Sequence, residues 1–452
     1  MNVLLFNIIF SICIHVISIY FNRNKLESLL YTVTFILLLT PSSLMLGLEL
    51  SSTLNIQFSY FFTLVILPVI VLQRRKLFLN KKLLINYKKK IGKYLLFLLI
   101  FKFALSFYRL FVYEINPLSD FINSSKEFIL ILILTFFYYI GLSQLSSEKQ
   151  LKFIKTVFGI FTVVVASFGM LVLLDISPFN NIQIKYYNFK SLNSGGAVSL
   201  MSDSILRDHR TYSVFSSANQ FGTFSAIAIA IASTLYKAKK INILMYSVFF
   251  VSGVFIFYAS QSRTSFFFFF FFMAITLMSK FNIKTLFLMG VLIIASFLFY
   301  DLLPERLTNS LNSSSFQEKL EGQRISFWWT FFENVSFDVE FIFHGSYNET
   351  FLNNNLKFYE SGVLNFLSKH GLISFIICWS LFIKSLIHSY KERSDNNVKV
   401  LKNISFWTLL ILISGELLQG WMLSYRFETI LSIIIALVYL YDDLKQINSH
   451  KT

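Results

Sequence analysis

The sequence predicts an all-α, polytopic integral membrane protein with about 12–14 transmembrane helices and a large extracytoplasmic loop late in the chain. Composition is the first reason: 55% of the 452 residues are apolar, 14% are charged, and the mean hydropathy is +0.62. Run length is the second. Apolar stretches of about 18 residues or more recur, enough for a helix to cross ~30 Å of hydrocarbon. The third is texture: the stretches are continuous rather than alternating, which disfavours a β-barrel, and only a helix satisfies its own backbone inside lipid.

In chain order the spans fall near 2–21, 29–48, 56–72, 94–112, 127–146, 156–175, 214–235, 241–259, 265–279, 283–300, 362–387, 403–420 and 428–441. The loop 73–93 ties them to one side. It carries nine Lys/Arg and no acid, so the positive-inside rule places it in the cytoplasm, against anionic headgroups. With that loop fixed, most of the 40 Lys/Arg fall on the cytoplasmic side and 11 on the other, while Lys102, Arg109 and Lys369 are among those that lie within spans. The N-terminus is then outside and the C-terminus inside. The first run lacks a basic leader and a small-residue cleavage site, so it reads as a span and not as a secretory signal. The chain is expected to form a single multi-span domain, 1–452, with outer loops at 176–213 and 301–361.

Several function classes drop out. A net charge of +16 raises nucleic acid as a partner, but the positives sit in short loops between spans. Cys13 and Cys378 lie inside apolar runs and the histidines are scattered, so neither a disulfide nor a metal site is expected. The seven phenylalanines Phe266–Phe272 make a greasy helix face, in keeping with a composition shaped by an AT-rich genome. No internal repeat is evident, which weakens a transporter built on inverted repeats.

Three arginines on the outer side carry the functional reading. Arg210 closes the cluster Arg207-Asp208-His209-Arg210 and opens a span whose early turns hold Asn219, Gln220 and Gly222. Arg263 sits in a short turn between two spans. Arg324 starts an aromatic stretch, 323–335, that includes Trp328 and Trp329 and suits the membrane interface. A guanidinium grips phosphate oxygens as a bidentate fork. The plainer alternative is that each arginine snorkels to lipid headgroups. Glu360, just before the span 362–387, reads as a general base at the mouth of a cavity or as an acid complementing a helix N-terminus. His344 reads as a base or as a structural donor. Glu416 is an acid inside a span, a functional candidate whose structural alternative is pairing with Lys369 or Arg426. Lys102, Arg109 and Glu114 form a polar stripe, with 102 and 109 seven apart on one helix face.

These residues together resemble the O-antigen polymerase and O-antigen ligase superfamily of bacterial inner-membrane enzymes. The resemblance rests on Arg210, Tyr212-Ser213, Phe215 and Gln220-Phe221-Gly222; on Ser262-Arg263-Thr264; on Gly322-Gln323-Arg324 with Trp328; on His344-Gly345; and on Glu360-Ser361 with Gly371. It covers about residues 205–375, and each motif is short. The resemblance implies a metal-independent glycosyltransferase, without cofactor, that uses a polyprenyl-diphosphate-linked saccharide as donor. Arg210, Arg263 and Arg324 would hold the diphosphate. Ligases of the superfamily carry histidine where this chain has Glu360, a departure that favours a polymerase of O-antigen, capsular or exopolysaccharide repeat units. Glu360 and His344 are the catalytic candidates, with Asn219, Gln220, Glu416 and Trp328 in support. The partners implied are the lipid-linked oligosaccharide, the bilayer, a flippase and a chain-length regulator, and no nucleic acid. Ligation of glycan to a lipid or protein acceptor is the alternative within the enzyme class. A flippase or other transporter is the alternative outside it.

Overall fold

The computed structural model describes residues 3–21, 25–40, 61–73, 81–183, 211–215, 218–261, 331–332, 338–345, 361–390, 395–419 and 425–448. Among them every regular element is a helix, and there is no strand. The longer helices are α1 (Val3–Phe21), α2 (Lys25–Leu39), α3 (Lys93–Tyr113), α4 (Pro117–Ser143), α5 (Ser147–Leu173), α6 (Ala218–Lys237) and α7 (Ile243–Ser260). They continue with the short α8 (Val339–His344), then α9 (Gly362–Tyr390), α10 (Asn396–Gln419) and α11 (Tyr425–Asn448). Among the described residues six stretches are long and apolar enough to cross a membrane: Lys82–Val112, Ser124–Ser143, Ser147–Leu173, Ile243–Ser260, Gly362–Tyr390 and Asn396–Glu416. They are compatible with a membrane protein. Of the expected loop 301–361, only 331–332, 338–345 and 361 are described; of 176–213, only 176–183 and 211–213.

The first of these stretches begins inside the basic segment 73–93. Helical turns run from Lys81 through a π-helical turn, Lys88–Gly92, straight into α3. The physical reason is that lysine is a good helix former whose long stem lies along the helix while its ammonium stays in water.

The chain forms two compact units, Met1–Val157 with Trp328–Thr452, and Phe158–Phe327, so the division falls within α5. In the first unit α11 packs against α4, and α3, α9, α10 and the α1–α2 pair surround them. From Phe427 to Tyr441 every position of α11 is buried, so this helix is enclosed on all sides. α3 is inverted relative to a helix of a water-soluble protein. Its buried face carries Leu98, Lys102, Ser106 and Arg109, while Phe97, Ile100, Phe103 and Phe107 face outward. Phe111 is 82% exposed and Lys102 is 0% exposed, the arrangement expected where the surroundings are lipid.

In the second unit α6 and α7 form a hairpin. Asn242 caps α7, its side-chain oxygen accepting the Met245 N–H at 2.9 Å. Tyr236 and Tyr246 stack across the turn with ring centroids 4.5 Å apart.

Candidate functional site

The strongest concentration of chemistry among the described residues lies in the first unit, where α3, α4, α8 and α9 meet. It starts with a hairpin. α3 ends at Glu114, in the left-handed region at φ 53°. Asn116 then accepts the Leu118 N–H at 3.0 Å, and Pro117 occupies the first helical position of α4. This turn brings Asp120, in the first turn of α4, back over the end of α3. Arg109 Nη1 donates to both Asp120 carboxylate oxygens, at 3.2 and 3.1 Å, and both side chains are almost wholly buried. Arg109 Nε donates to His344 Nδ1 at 3.1 Å. The neutral imidazole therefore carries its proton on Nε2, which makes His344 a donor on its other edge. Burial first, and then the Arg109 charge, hold the His344 pKa down at about 4. Tyr108 lies against the ring, centroids 5.2 Å apart.

His344 is placed there by α8, whose start is capped by Asp338 accepting the Phe341 N–H at 2.8 Å and whose end is Gly345. Gly345 (φ 67°, ψ −155°) and Gly371 (φ 79°, ψ 167°) both occupy a backbone region that is essentially glycine's own. Each packs against the other's strand of backbone. A Cβ on Gly371 would lie 2.8 Å from the Phe343 carbonyl oxygen and 3.0 Å from the Gly345 nitrogen, and a Cβ on Gly345 would run into the Ser368 carbonyl. Gly371 also breaks the helical path of α9. The carbonyl of His370, at the break, is taken up by Lys102 Nζ at 3.0 Å. Lys102 and Arg109, the two cations of the α3 stripe, thus brace the kink of α9 and the end of α8.

A second set of charges, two of them buried, adjoins the first. Lys369 Nζ bonds Glu127 Oε1 at 2.9 Å. Glu428, at the start of α11 and 0% exposed, lies within electrostatic reach of Glu127, Lys126 and Lys369. Neither of its carboxylate oxygens has a hydrogen-bond partner among the described residues. Arg426 is used structurally: it donates to the carbonyls of Leu38 and Thr40 at 2.8 and 2.9 Å, closing the C-terminus of α2. The expected pairing partners of Glu416 are therefore engaged elsewhere as well. Glu416 itself is buried in α10.

In the second unit the residues that follow Arg210 are pinned. Thr211 donates its N–H to the Ala259 carbonyl at 3.0 Å and its hydroxyl to Gln183 Oε1 at 2.7 Å. Ser213 donates its hydroxyl to the Val165 carbonyl at 2.8 Å. Tyr212 is buried between them, and burial raises its pKa. Asn219 and Gln220 occupy the first turn of α6 and are half-buried.

Arg210, Arg263, Arg324, Glu360 and Trp328 lie outside the described residues. Of the catalytic candidates, His344 alone is described, in the donor geometry above. Reasoning from the sequence placed Lys102 and Arg109 on one face but did not find Asp120, Glu127 or Glu428. Asp120 had a local signal, an acid three residues after a helix-starting proline and eleven after an arginine near a span's end. Among the described residues no group of three or more His, Cys, Asp or Glu side chains comes together in a way that could hold a metal ion. Searches against family models, curated proteins and solved structures returned no match.

Proposed function

We propose that this protein is a multi-pass enzyme of a bacterial inner membrane that polymerises polyprenyl-diphosphate-linked oligosaccharide repeat units at the outer face. In this reaction a hydroxyl of an incoming unit attacks the anomeric carbon of the growing chain. The anomeric carbon–oxygen bond to the diphosphate breaks, the polyprenyl diphosphate leaves, and the hydroxyl proton passes to Glu360. Arg210, Arg263 and Arg324 neutralise the leaving diphosphate, so that its departure needs no proton. Arg109 holds His344, and Lys102 holds the kink of α9 that packs beside it.

One observation carries the reading. Two elements of the motif pattern, His344-Gly345 and Gly371, are in backbone contact beside a buried, carboxylate-paired arginine. A motif that packs together in space is a site scaffold, and the lysine distribution assigns this end of α3 to the outer face. A second reading has its own support: the buried charges Lys102, Glu127 and Glu428 within helices are what a transporter uses to couple ions to solutes.

Surface glycan from a deletion strain separates these readings. Single repeat units on the surface, restored to polymer by the wild-type gene and not by Glu360→Gln, are the expected result. A lost general base costs about 10²–10⁴-fold in rate. Lipid-linked polymer that is never attached to its acceptor would mean a ligase. Repeat units trapped on the cytoplasmic leaflet would mean a transporter.

A further inference from the structure

At the opposite end of α3 from Arg109 lies a cavity of about 270 Å³ lined by Lys89, Lys90, Lys93, Tyr94, Lys384, Ile387, His388 and Tyr439. Four lysines converge on it, and among the described residues no acid lines it. Three of them come from, or directly follow, the π-helical turn Lys88–Gly92, and wide turns of this kind concentrate at functional sites. Lys384 reaches across from α9 and donates to the Tyr94 hydroxyl at 2.5 Å. Lys93 and Lys384 also lie over the Tyr94 ring, 5.1 and 5.0 Å from its centroid. Tyr94 therefore fixes two ammonium groups at the rim of the cavity.

We infer that this cavity is a binding site for a phosphate group, the headgroup of an anionic phospholipid. Four ammonium groups gathered around so small a volume favour an anion among them. Several ammonium donors and a tyrosine hydroxyl match an anion with several acceptor oxygens. The apolar surroundings point to a lipid as its source. Ile387 lines the cavity, and Ile383 on α9 and Phe97 on α3, each one turn further from the basic end, are both exposed. They offer acyl chains a path beneath a bound headgroup. The basic end of α3 is the one that the lysine distribution assigns to the cytoplasm, where anionic headgroups are gathered by basic pockets between helices.

The test uses the full chain, purified and delipidated in detergent. Its thermal midpoint is followed during separate titrations with phosphatidylglycerol, phosphatidylcholine and inorganic phosphate, and retained adducts are counted by native mass spectrometry. The expected result is a saturable rise with phosphatidylglycerol alone, weakened about fivefold by each of Lys93→Gln and Lys384→Gln. Lys152→Gln, an exposed lysine outside the cavity, should leave it unchanged. Tyr94→Phe, which keeps the ring and removes the hydroxyl, gives a second variant should a lysine substitution impair folding. A saturable response to inorganic phosphate with the same lysine dependence would keep the site and make its occupant soluble. Equal weakening by Lys152→Gln, or no distinction between the two lipids together with no response to phosphate, would overturn the inference.

Discussion

Burial first, and then the Arg109 charge, make His344 resist a second proton. Arg109 fills the Nδ1 lone pair and its charge opposes a second proton, while burial removes the water that would solvate an imidazolium. The linkage follows. In the unfolded chain His344 takes a proton near pH 6.5, and in the folded chain only near pH 4. Between those values the unfolded state binds more protons, so folding stability contributed by this residue is complete above pH 6.5 and falls as pH is lowered to 4. Thermal unfolding from pH 7.5 to 4 should show that decline in the wild type and a flatter profile in His344→Gln. Coincident profiles would remove His344 from the account of the cluster.

Helix α9 draws its shape from one residue. Gly371 combines a positive φ with an extended ψ, and the Phe343 carbonyl occupies the space that a side chain would need. Gly371→Ala is expected to cost about 1–3 kcal/mol from backbone conformation alone, with the clash in addition. Ser374→Ala, three residues on, removes a buried hydroxyl that has no partner among the described residues and should cost nothing comparable. Thermal midpoints in detergent decide the matter, and equal effects would mean that the kink is not fixed by glycine. The long described helices were legible in the sequence, since apolar runs announce them locally, whereas the helical turns 81–92 and α8 fall in segments that read as loops. The bend was legible only as a glycine in a motif, because its partner is backbone. The Lys369–Glu127 pair was not legible at all: its members are separated by 242 residues, and no local pattern links them. The Arg109–Asp120 pair, eleven residues apart across one turn, was within reach of sequence reasoning and was passed over because Asp120 was counted with a loop.

At the scale of the molecule the ordering of charge gives a topology that reporters can read. Fusions at Asn116, in the turn between α3 and α4, should report the outer side, and fusions at Lys239, in the turn between α6 and α7, the cytoplasm. The opposite pattern would reverse every loop and would put the buried Arg109 cluster on the cytoplasmic side, away from the outer face at which the proposed reaction takes place. The reading of the second unit depends on the same assignment, because Thr211, pinned to Ala259, and the residues around it are taken to lie outside.

Helix α3 is anchored at both ends by cations that cannot change places. Tyr94 is held by Lys384 of α9 at one end, and Arg109 is locked to Asp120 at the other, fifteen residues or about 23 Å along the axis. A stroke along the membrane normal would drag one ammonium into hydrocarbon, at roughly 2.5–3.5 kcal/mol on insertion scales, or pull the guanidinium from its carboxylate. A piston-like stroke of α3 is therefore opposed at both ends. Rotation and tilt remain open to it, and the α9 break at Gly371, tethered to α3 through Lys102, is the joint through which either motion would be felt.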